Sequence, residues 1–387
     1  MANGQGTLGD LVNESLPAFG GVFRGESVLV TGHMGFKGGW LALWLRRLGA
    51  LVHGYSLRMP TTPGLFALAR IEDVVGHHLG DVRDLDRLRG VLHVARPRFV
   101  FHLAAQPIVS RAYAEPLETF SSNAIGTATV LEALRSVDWP CAAVIVTSDK
   151  CYENVEWPWG YRETDRLGGS DPYSASKAAA EVIAQAYLRS FFAPDRQPVR
   201  IAIARAGNVI GGGDFAADRI VADCVTAWSQ ARPVRLRSPD ATRPWQHVLE
   251  PLSGYLALAC ALAGSAAQHG EAFNFGPAPG PGRRVVELIE ALARHWDLPV
   301  DMAPFEVVER IPFHEAGLLK LVCDKARQVL RWSPTLDFEE CVALTSAWYR
   351  DVLHRGADAR AATEAQIAHY ETLAARRNLP WRMDGAR

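Results

Sequence analysis

Tyr173 and Lys177 stand four residues apart in Asp171-Pro-Tyr-Ser-Ala-Ser-Lys177, so on a helix they share one face. A phenol is a poor base at neutral pH, its free pKa lying near ~10. A lysine cation beside it favours the phenolate and lowers that value. About 140 residues upstream is a glycine-rich turn, Gly32-His-Met-Gly35-Phe36-Lys37-Gly38. Glycines let the backbone approach a pyrophosphate, and the N-terminus of a following helix offers free N–H groups to its charge. A phenolate next to a nicotinamide can take the proton of a carbinol as hydride leaves the carbon. A second group, Thr147-Ser148-Asp149-Lys150, directly follows an apolar run. Thr147 or Ser148 can hydrogen-bond a substrate oxygen. Asp149 can serve as an acid if burial raises its pKa, and the Lys150 cation opposes this unless it is itself neutral. Read singly, these are a half-buried tyrosine, a solvated lysine and a surface ion pair. Together with the glycine turn they are a candidate redox site.

Such a site needs a rigid frame. Residues 27–31 form a β-branched apolar run that ends at the glycine turn. Residues 40–48 have helical apolar spacing stopped by Gly49, and 51–56 read as a second strand. This is the β-α-β unit of a dinucleotide fold. A third strand is expected before Asp81-Val82, which makes those two residues candidate adenine contacts. Helices are expected over 85–94 and 119–136, and buried strands over 98–103, 142–147 and 199–204. Alternating helices and near-continuous apolar strands predict an α/β fold, a Rossmann-type doubly wound parallel sheet over residues 26–209. From about residue 210 the texture changes to a glycine-rich loop (206–214), an Arg- and Pro-rich stretch (232–246) and helices at 251–262, 285–295 and 338–353. Residues 210–355 are thus expected to form a smaller substrate lobe, with 273–276 returning to the main sheet as a strand. Residues 1–25 read as a loose extension with a short helix near 8–16, and 356–387 as a terminal helix outside the core.

The bulk numbers narrow the partners. A net charge of −1 with no long run of one sign argues against nucleic acid or an anionic membrane. No stretch reaches 18 apolar residues, and the start lacks a basic, then apolar, secretory pattern. The six cysteines are scattered without a CxxC pair, which predicts free thiols in a reducing, cytoplasmic setting and no metal site. After the second strand an acidic residue usually holds the ribose of NAD. Ser56-Leu57-Arg58 stands there instead. Arg58 is either a partner for a 2′-phosphate, pointing to NADP, or a solvated surface residue.

The chain resembles the extended short-chain dehydrogenase/reductases, and within them the CDP-glucose 4,6-dehydratase branch. The matching stretches are Val30-Thr-Gly-His-Met-Gly-Phe-Lys-Gly38, Phe101-His-Leu103-Ala104-Ala105-Gln106-Pro107, Thr147-Ser-Asp-Lys-Cys-Tyr152, Trp159-Gly-Tyr-Arg-Glu163, Asp171 to Lys177, Arg205-Ala-Gly-Asn208-Val-Ile-Gly-Gly-Gly-Asp214 and Arg243-Pro-Trp-Gln-His247-Val-Leu-Glu-Pro251. The Ser-Asp-Lys triplet is particular to this branch, since related dehydratases carry Asp-Glu there. The resemblance implies NAD held by Gly32, Gly35, Phe36, Lys37, Gly38, Leu103, Ala104 and Ala105, with Tyr173 and Lys177 over it. It implies a nucleotide-diphospho-sugar, CDP-glucose, held by Gln106, Asn208, Arg219, Arg243 and His247, arginine suiting the diphosphate. It implies a 4-keto-6-deoxy sugar as product, Tyr173 as base and Asp149 as acid, with the role of Lys150 open between base and positioning group. A homodimer is implied as well. The chain departs from the family at Met34 (usually Thr), Gly39 (usually Ser) and Gly317-Leu318 (usually His-Tyr). The competing readings are an epimerase or a net reductase of the same fold, and a non-catalytic dinucleotide sensor.

Overall fold

The computed structural model describes residues 18–193, 197–280, 282–308 and 318–383. The expected helix at 8–16 and the departure at Gly317 lie outside the described residues. Seven strands build one sheet: β1 (Ser27–Thr31), β2 (Leu51–Ser56), β3 (Gly76–Leu79), β4 (Phe99–His102), β5 (Cys141–Val146), β6 (Val199–Ala206) and β7 (Ala272–Phe275). Their order is β7-β6-β5-β4-β1-β2-β3, and every pair is parallel. Strand order reverses between β1 and β4, where Val30 pairs with Phe101. A doubly wound sheet opens its ligand crevice at such a switch point, beyond the carboxyl ends of the strands.

The strand sequences explain the layering. Side chains alternate faces along a strand. Val28, Val30, Ala142, Val144, Ala202 and Ala204 pack into one core with Trp40, Trp44, Leu252 and Leu256. Leu29, Ala143, Ile145, Ile201 and Ile203 pack into a second core on the other face. The first face is covered by α1 (Phe36–Arg47) and the second by α2 (Leu85–Ala95). Both faces being buried, the strands carry no polar alternation.

The long helix expected over 119–136 is broken. Pro116–Phe120 (α3) and Gly126–Leu134 (α4) flank a π-type turn at Ser121–Ile125. That turn aims the buried Asn123, which accepts from Gln106 N–H at 2.8 Å and donates to Gln106 O at 3.1 Å and Ser176 Oγ at 2.8 Å. A local widening of this kind is a recurrent way to direct one side chain. Next to it runs α5 (Pro172–Phe191), capped by Asp171 Oδ1, which accepts from Ser174 N–H at 3.0 Å.

The lobe is threaded through the sheet rather than appended to it. Both β7 and the helix α6 (Leu249–Gly264), nearly all of whose first turns are buried, return to the main core. The terminal helix α7 (Ala359–Arg376) also departs from expectation. Thr363, Ile367, Tyr370 and Ala374 form a buried stripe at helical spacing. Trp44 Nε1 donates to Glu371 at 2.9 Å, and Tyr370 donates to Glu250 at 3.0 Å. Glu250 also accepts from the backbone of Thr335 and Leu336. Its Ala-, Arg- and Glu-rich outer face masks a narrow apolar seam in the sequence. Residues 18–25 belong to the same layer: Phe19 stacks on Trp381 at 4.9 Å, and Phe23 is buried.

Among the described residues no helix is long and apolar enough to cross a membrane, and no cluster of three or more His, Cys, Asp or Glu could hold a metal. All six cysteines are unpaired. Because Ile367 is fully buried, Ile367→Ala should destabilise the fold by about 2–5 kcal/mol. Val300→Ala, at a fully exposed position, should leave stability within about 0.5 kcal/mol. Urea unfolding of the two variants checks this.

Candidate active site

The glycine turn sits where β1 ends at the switch point. Gly32 has φ +78°, and a side-chain carbon there would lie 2.7 Å from Ala104 N. Only glycine satisfies both demands. At Gly38 a side-chain carbon would meet Gly32 O at 2.1 Å. The turn and α1 therefore touch backbone to backbone. Gly35 caps α1 without any side-chain hydrogen bond, so the first N–H groups of the helix face outward. A cradle that any Cβ would fill, beside free helix N–H groups, fits a pyrophosphate. Leu103 and Ala104 border the turn, Leu103 N–H donating to Thr31 O at 3.1 Å and Ala104 N–H to Thr31 Oγ1 at 3.3 Å; Ala105 follows at the same strand end. Phe36 packs under Gly211 of the lobe's glycine loop. The departure at Gly39 has a packing cause, since a Cβ there would press on Leu65 and Ile71 at 3.1 and 3.2 Å.

The end of β2 carries a hydroxyl where a carboxylate is usual. Ser56 Oγ accepts from Met34 N–H at 3.3 Å and lies 2.9 Å from His33 Nδ1; His33 Nε2 in turn lies 2.8 Å from His77 Nδ1. Burial, and then the neighbouring His77, hold His33 down at about 3, so its ring is neutral. Arg58 is exposed. Asp81 is engaged by Arg83, which also reaches Glu118 at 2.8 Å, and Val82 packs against Gly126.

The catalytic candidates converge. Ser148, extended at the end of β5, caps a 3-10 turn, Asp149–Cys151. Its hydroxyl donates to Asp149 Oδ1 at 2.9 Å and accepts from Lys150 N–H at 3.2 Å. Thr147 turns away and donates to Glu181 at 2.5 Å, which leaves Ser148 as the hydroxyl at the site. Asp149 is 3 % exposed, and its Oδ2, wedged beside Gly207, bonds no group among the described residues. Burial raises its pKa; Lys150, Ser148, Lys37 and Arg243 work against this in that order. Burial also pushes Lys177 and Lys37 down to about 8 each.

Tyr173 differs from the expectation based on Lys177 alone. Burial raises its pKa, while the Ser148 hydrogen bond and the Arg219 charge pull the other way. A lysine itself short of solvent is a weaker counter-charge than the helical spacing implies.

The remaining candidates divide. Lys37 and Arg219 both act on the charges of the centre, and Arg219 also donates to Pro107 O at 3.3 Å across the crevice. Arg243 is 8 % exposed and acts on Asp149. Asn208 holds the lobe strand through its carbonyl, which accepts from Gln246 N–H at 3.3 Å. Gln106 uses its side-chain amide on Thr119 Oγ1 (2.9 Å), Ile108 O and Ile108 N–H, so it shapes the loop rather than facing outward. His247 is fully buried, edge-on to Trp40, and its Nδ1 accepts from Leu249 N–H at 3.3 Å. Its Nε2 bonds no group among the described residues.

Sequence reading missed the layer beneath. Glu181 lies four residues past Lys177, so Tyr173, Lys177 and Glu181 form one helical stripe that the spacing already contains. Glu181 pairs with Arg205 at 2.7 Å, and Arg205 donates to Tyr152 at 2.7 Å. Tyr255, fully buried on α6, feels the charges of Tyr173 and Asp149, and nothing in its sequence neighbourhood marked it.

Known proteins resemble this chain in sequence and in fold. Residues 29–274 match the family model described as GDP-mannose 4,6 dehydratase. A CDP-glucose 4,6-dehydratase of Salmonella typhimurium is 42% identical over 357 residues, covering 92% of this chain and 98% of that protein. A dTDP-glucose 4,6-dehydratase of Mycolicibacterium smegmatis is 31% identical over 57% of this chain and 65% of its own length. The dTDP-glucose 4,6-dehydratase of Streptomyces venezuelae, solved with NAD, superposes with a TM-score of 0.71 at 23% identity, covering 85% of this chain and 98% of that one. The UDP-glucose 4-epimerase of Thermotoga maritima gives 0.71 at 21%, covering 84% and 99%. The two structures share the fold; the sequence matches go further. With the family model spanning more than half of its length and one dehydratase matched almost end to end, the chain belongs to the nucleotide-sugar 4,6-dehydratase family.

Proposed function

We propose that the protein converts CDP-glucose to CDP-4-keto-6-deoxyglucose and water, with NAD as resident cofactor. The observation that carries this is Asp149, a buried carboxyl that accepts from the Ser148 hydroxyl and whose charge reaches Tyr173. An epimerase inverting C4 needs no acid for a leaving 6-hydroxyl. NAD, rather than NADP, is supported by the NAD-bound relatives of the same fold. The turn at Gly32, Gly35 and Gly38 would hold its pyrophosphate, with Phe36 and Lys37 on the following helix, and Ser56, Asp81 and Val82 border the adenosine end.

When bound, the nicotinamide supplies a reversible hydride acceptor. The side chains do the rest. Tyr173, as phenolate, takes the proton of the sugar 4-hydroxyl, and Lys177 on the same helix face offsets its charge. The ketone formed at C4 acidifies the C5 proton, for which Lys150 is the base by position. Asp149 protonates the departing 6-hydroxyl. Arg219 and Arg243 meet the diphosphate, their forks matching its oxygens. The helices α3, α4 and α5 and the π-type turn between the first two pack together and expose Leu117, Ile125 and Val182, which supports a homodimer through this face. Six unpaired thiols support a cytoplasmic setting.

Incubation with CDP-, UDP-, GDP- and dTDP-glucose should give loss of one water, by mass spectrometry, fastest with the CDP sugar. Deuterium at C4 should reappear in the terminal methyl group. A methyl without label would remove the reading.

Gly38→Ala forces a carbon against Gly32 O. It should weaken NAD binding, measured by calorimetry, by at least about tenfold, the equivalent of 1.4 kcal/mol. Tyr173→Phe should bind NAD normally and yield no product.

Asp149 must be protonated to act, and burial raises its pKa. Water loss should therefore fall as pH rises through that value, while the oxidation at C4, which needs ionised Tyr173, should speed up as pH rises. Asp149→Asn should slow elimination by about 10²–10⁴-fold and abolish the alkaline limb of the pH–rate profile.

A further inference from the structure

Gly207 has no side chain where a carboxyl stands. A Cβ built there lies 2.7 Å from Asp149 Oδ2 and 3.3 Å from Asp149 Cγ, while Pro244 Cγ, at 3.4 Å, is in ordinary contact. The backbone does not reserve the position for glycine. Gly213, in the same loop, has φ +85°, but Gly207 does not have positive φ. The demand for glycine comes from the carboxyl alone.

The two sides of this contact are both held. Ala206, at the end of β6, pairs with Phe275. Arg205 is locked to Glu181 at 2.8 and 2.7 Å, and the Asn208 carbonyl accepts from Gln246 N–H at 3.3 Å. The main chain on either side of Gly207 is therefore pinned. Across from it, Asp149 Oδ1 accepts from Ser148 Oγ at 2.9 Å. Asp149 Oδ2 is buried and bonds no group among the described residues. One oxygen is tied to the serine, and the other fills the space that residue 207 leaves open.

A carbon 2.7 Å from an oxygen is well inside van der Waals contact, so something must move. The atom in the way is the end of a side chain, so the carboxyl yields before the pinned backbone does. We propose that Gly207 is a positioning residue that selects elimination: by lacking a side chain it admits the Asp149 carboxyl to the leaving 6-hydroxyl, and a larger residue leaves a site that oxidises C4 without expelling water. The inference rests on the dehydratase reading above. Oxidation at C4 uses Tyr173 and Lys177 on α5, and the nearest atoms to a Cβ at 207 belong to Asp149 and Pro244 instead. With the acid displaced, the 6-oxygen has no proton with which to depart as water. The 4-ketone then keeps its 6-hydroxyl or takes its hydride back.

The test follows the first turnover of CDP-glucose on the full-length protein loaded with NAD, quenched with borodeuteride. Deuterium at C4 reads oxidation, and the share of that sugar lacking its 6-hydroxyl reads water loss. Gly207→Ala should oxidise C4 at the unaltered rate and lose water about 10²-fold more slowly. Thermal unfolding without substrate reads the contact itself. Gly207→Ala should lower Tm in the unaltered background and leave it unchanged in Asp149→Ala, where the clashing atoms are gone. If oxidation and water loss slow by the same factor, or water loss is unaffected, Gly207 does not position the acid. If Gly207→Ala lowers Tm equally in both backgrounds, its Cβ meets something other than the carboxyl and the inference is wrong. If the unaltered protein forms no keto sugar from any nucleotide hexose, the dehydratase reading fails and takes the inference with it.

Discussion

The geometry of the centre depends on one buried ion pair. Arg205, at the end of β6, and Glu181, on α5, are both almost wholly inside, and the guanidinium meets the carboxylate at 2.8 and 2.7 Å. Taking both ions out of water is costly, several kcal/mol each by order of magnitude. Good geometry offsets this. The pairing is bidentate, Thr147 donates a further hydrogen bond to Glu181, and Arg205 donates to Tyr152 and to the carbonyl of Glu163. The pair fixes more than stability. Glu181 sits on the same helical stripe as Tyr173 and Lys177, so anchoring it sets the rotation of α5 about its axis. Thr147 is bonded to the same carboxylate, so the end of β5 is set against that helix. The distance from Ser148 to the tyrosine follows from these two attachments.

The pair also draws the lobe into the frame. Tyr152 donates to Asn274 Oδ1 at 2.7 Å, on β7, and Asn274 donates to the carbonyls of Tyr161 and Val322. The segments that carry Tyr161 and Val322 are thereby joined to the sheet that holds the glycine turn. Together with the return of α6 and β7 to the main core, this makes the two binding regions parts of one packed body. A reaction that must take and return an electron pair at the same sugar requires that registry.

Legibility in the sequence tracked the range of the forces involved. The strands over 27–31 and 51–56 were readable to the residue, because buried parallel strands and glycine stops are local patterns. The glycine turn, Tyr173, Lys177 and Asp149 were legible as residue types at fixed spacing. What resisted reading was decided by distant partners. The break in the helix at Asn123 exists for a hydrogen bond to Gln106, the docking of α7 for a glutamate on α6, and the burial of His247 for a tryptophan on α1. Gln106 carries the polar groups of a ligand-binding residue, and only the fold shows that those groups are turned to its own support. The opposite error, overlooking Glu181, was avoidable: it stands one helical turn beyond the lysine.

Burial is what turns these residue types into a working set, and it acts with opposite sign on each charge. It lowers Lys177 and Lys37 to about 8, raises Asp149 and raises Tyr173. A solvated version of the same side chains would present two firm cations and an ionised aspartate, which could not give up a proton. In the closed site a neutral acid becomes accessible, and the lysines can hold or release their charge as it develops nearby. The same burial disfavours the phenolate needed from Tyr173, so the base depends on neighbours that lower its pKa, Ser148 and Arg219.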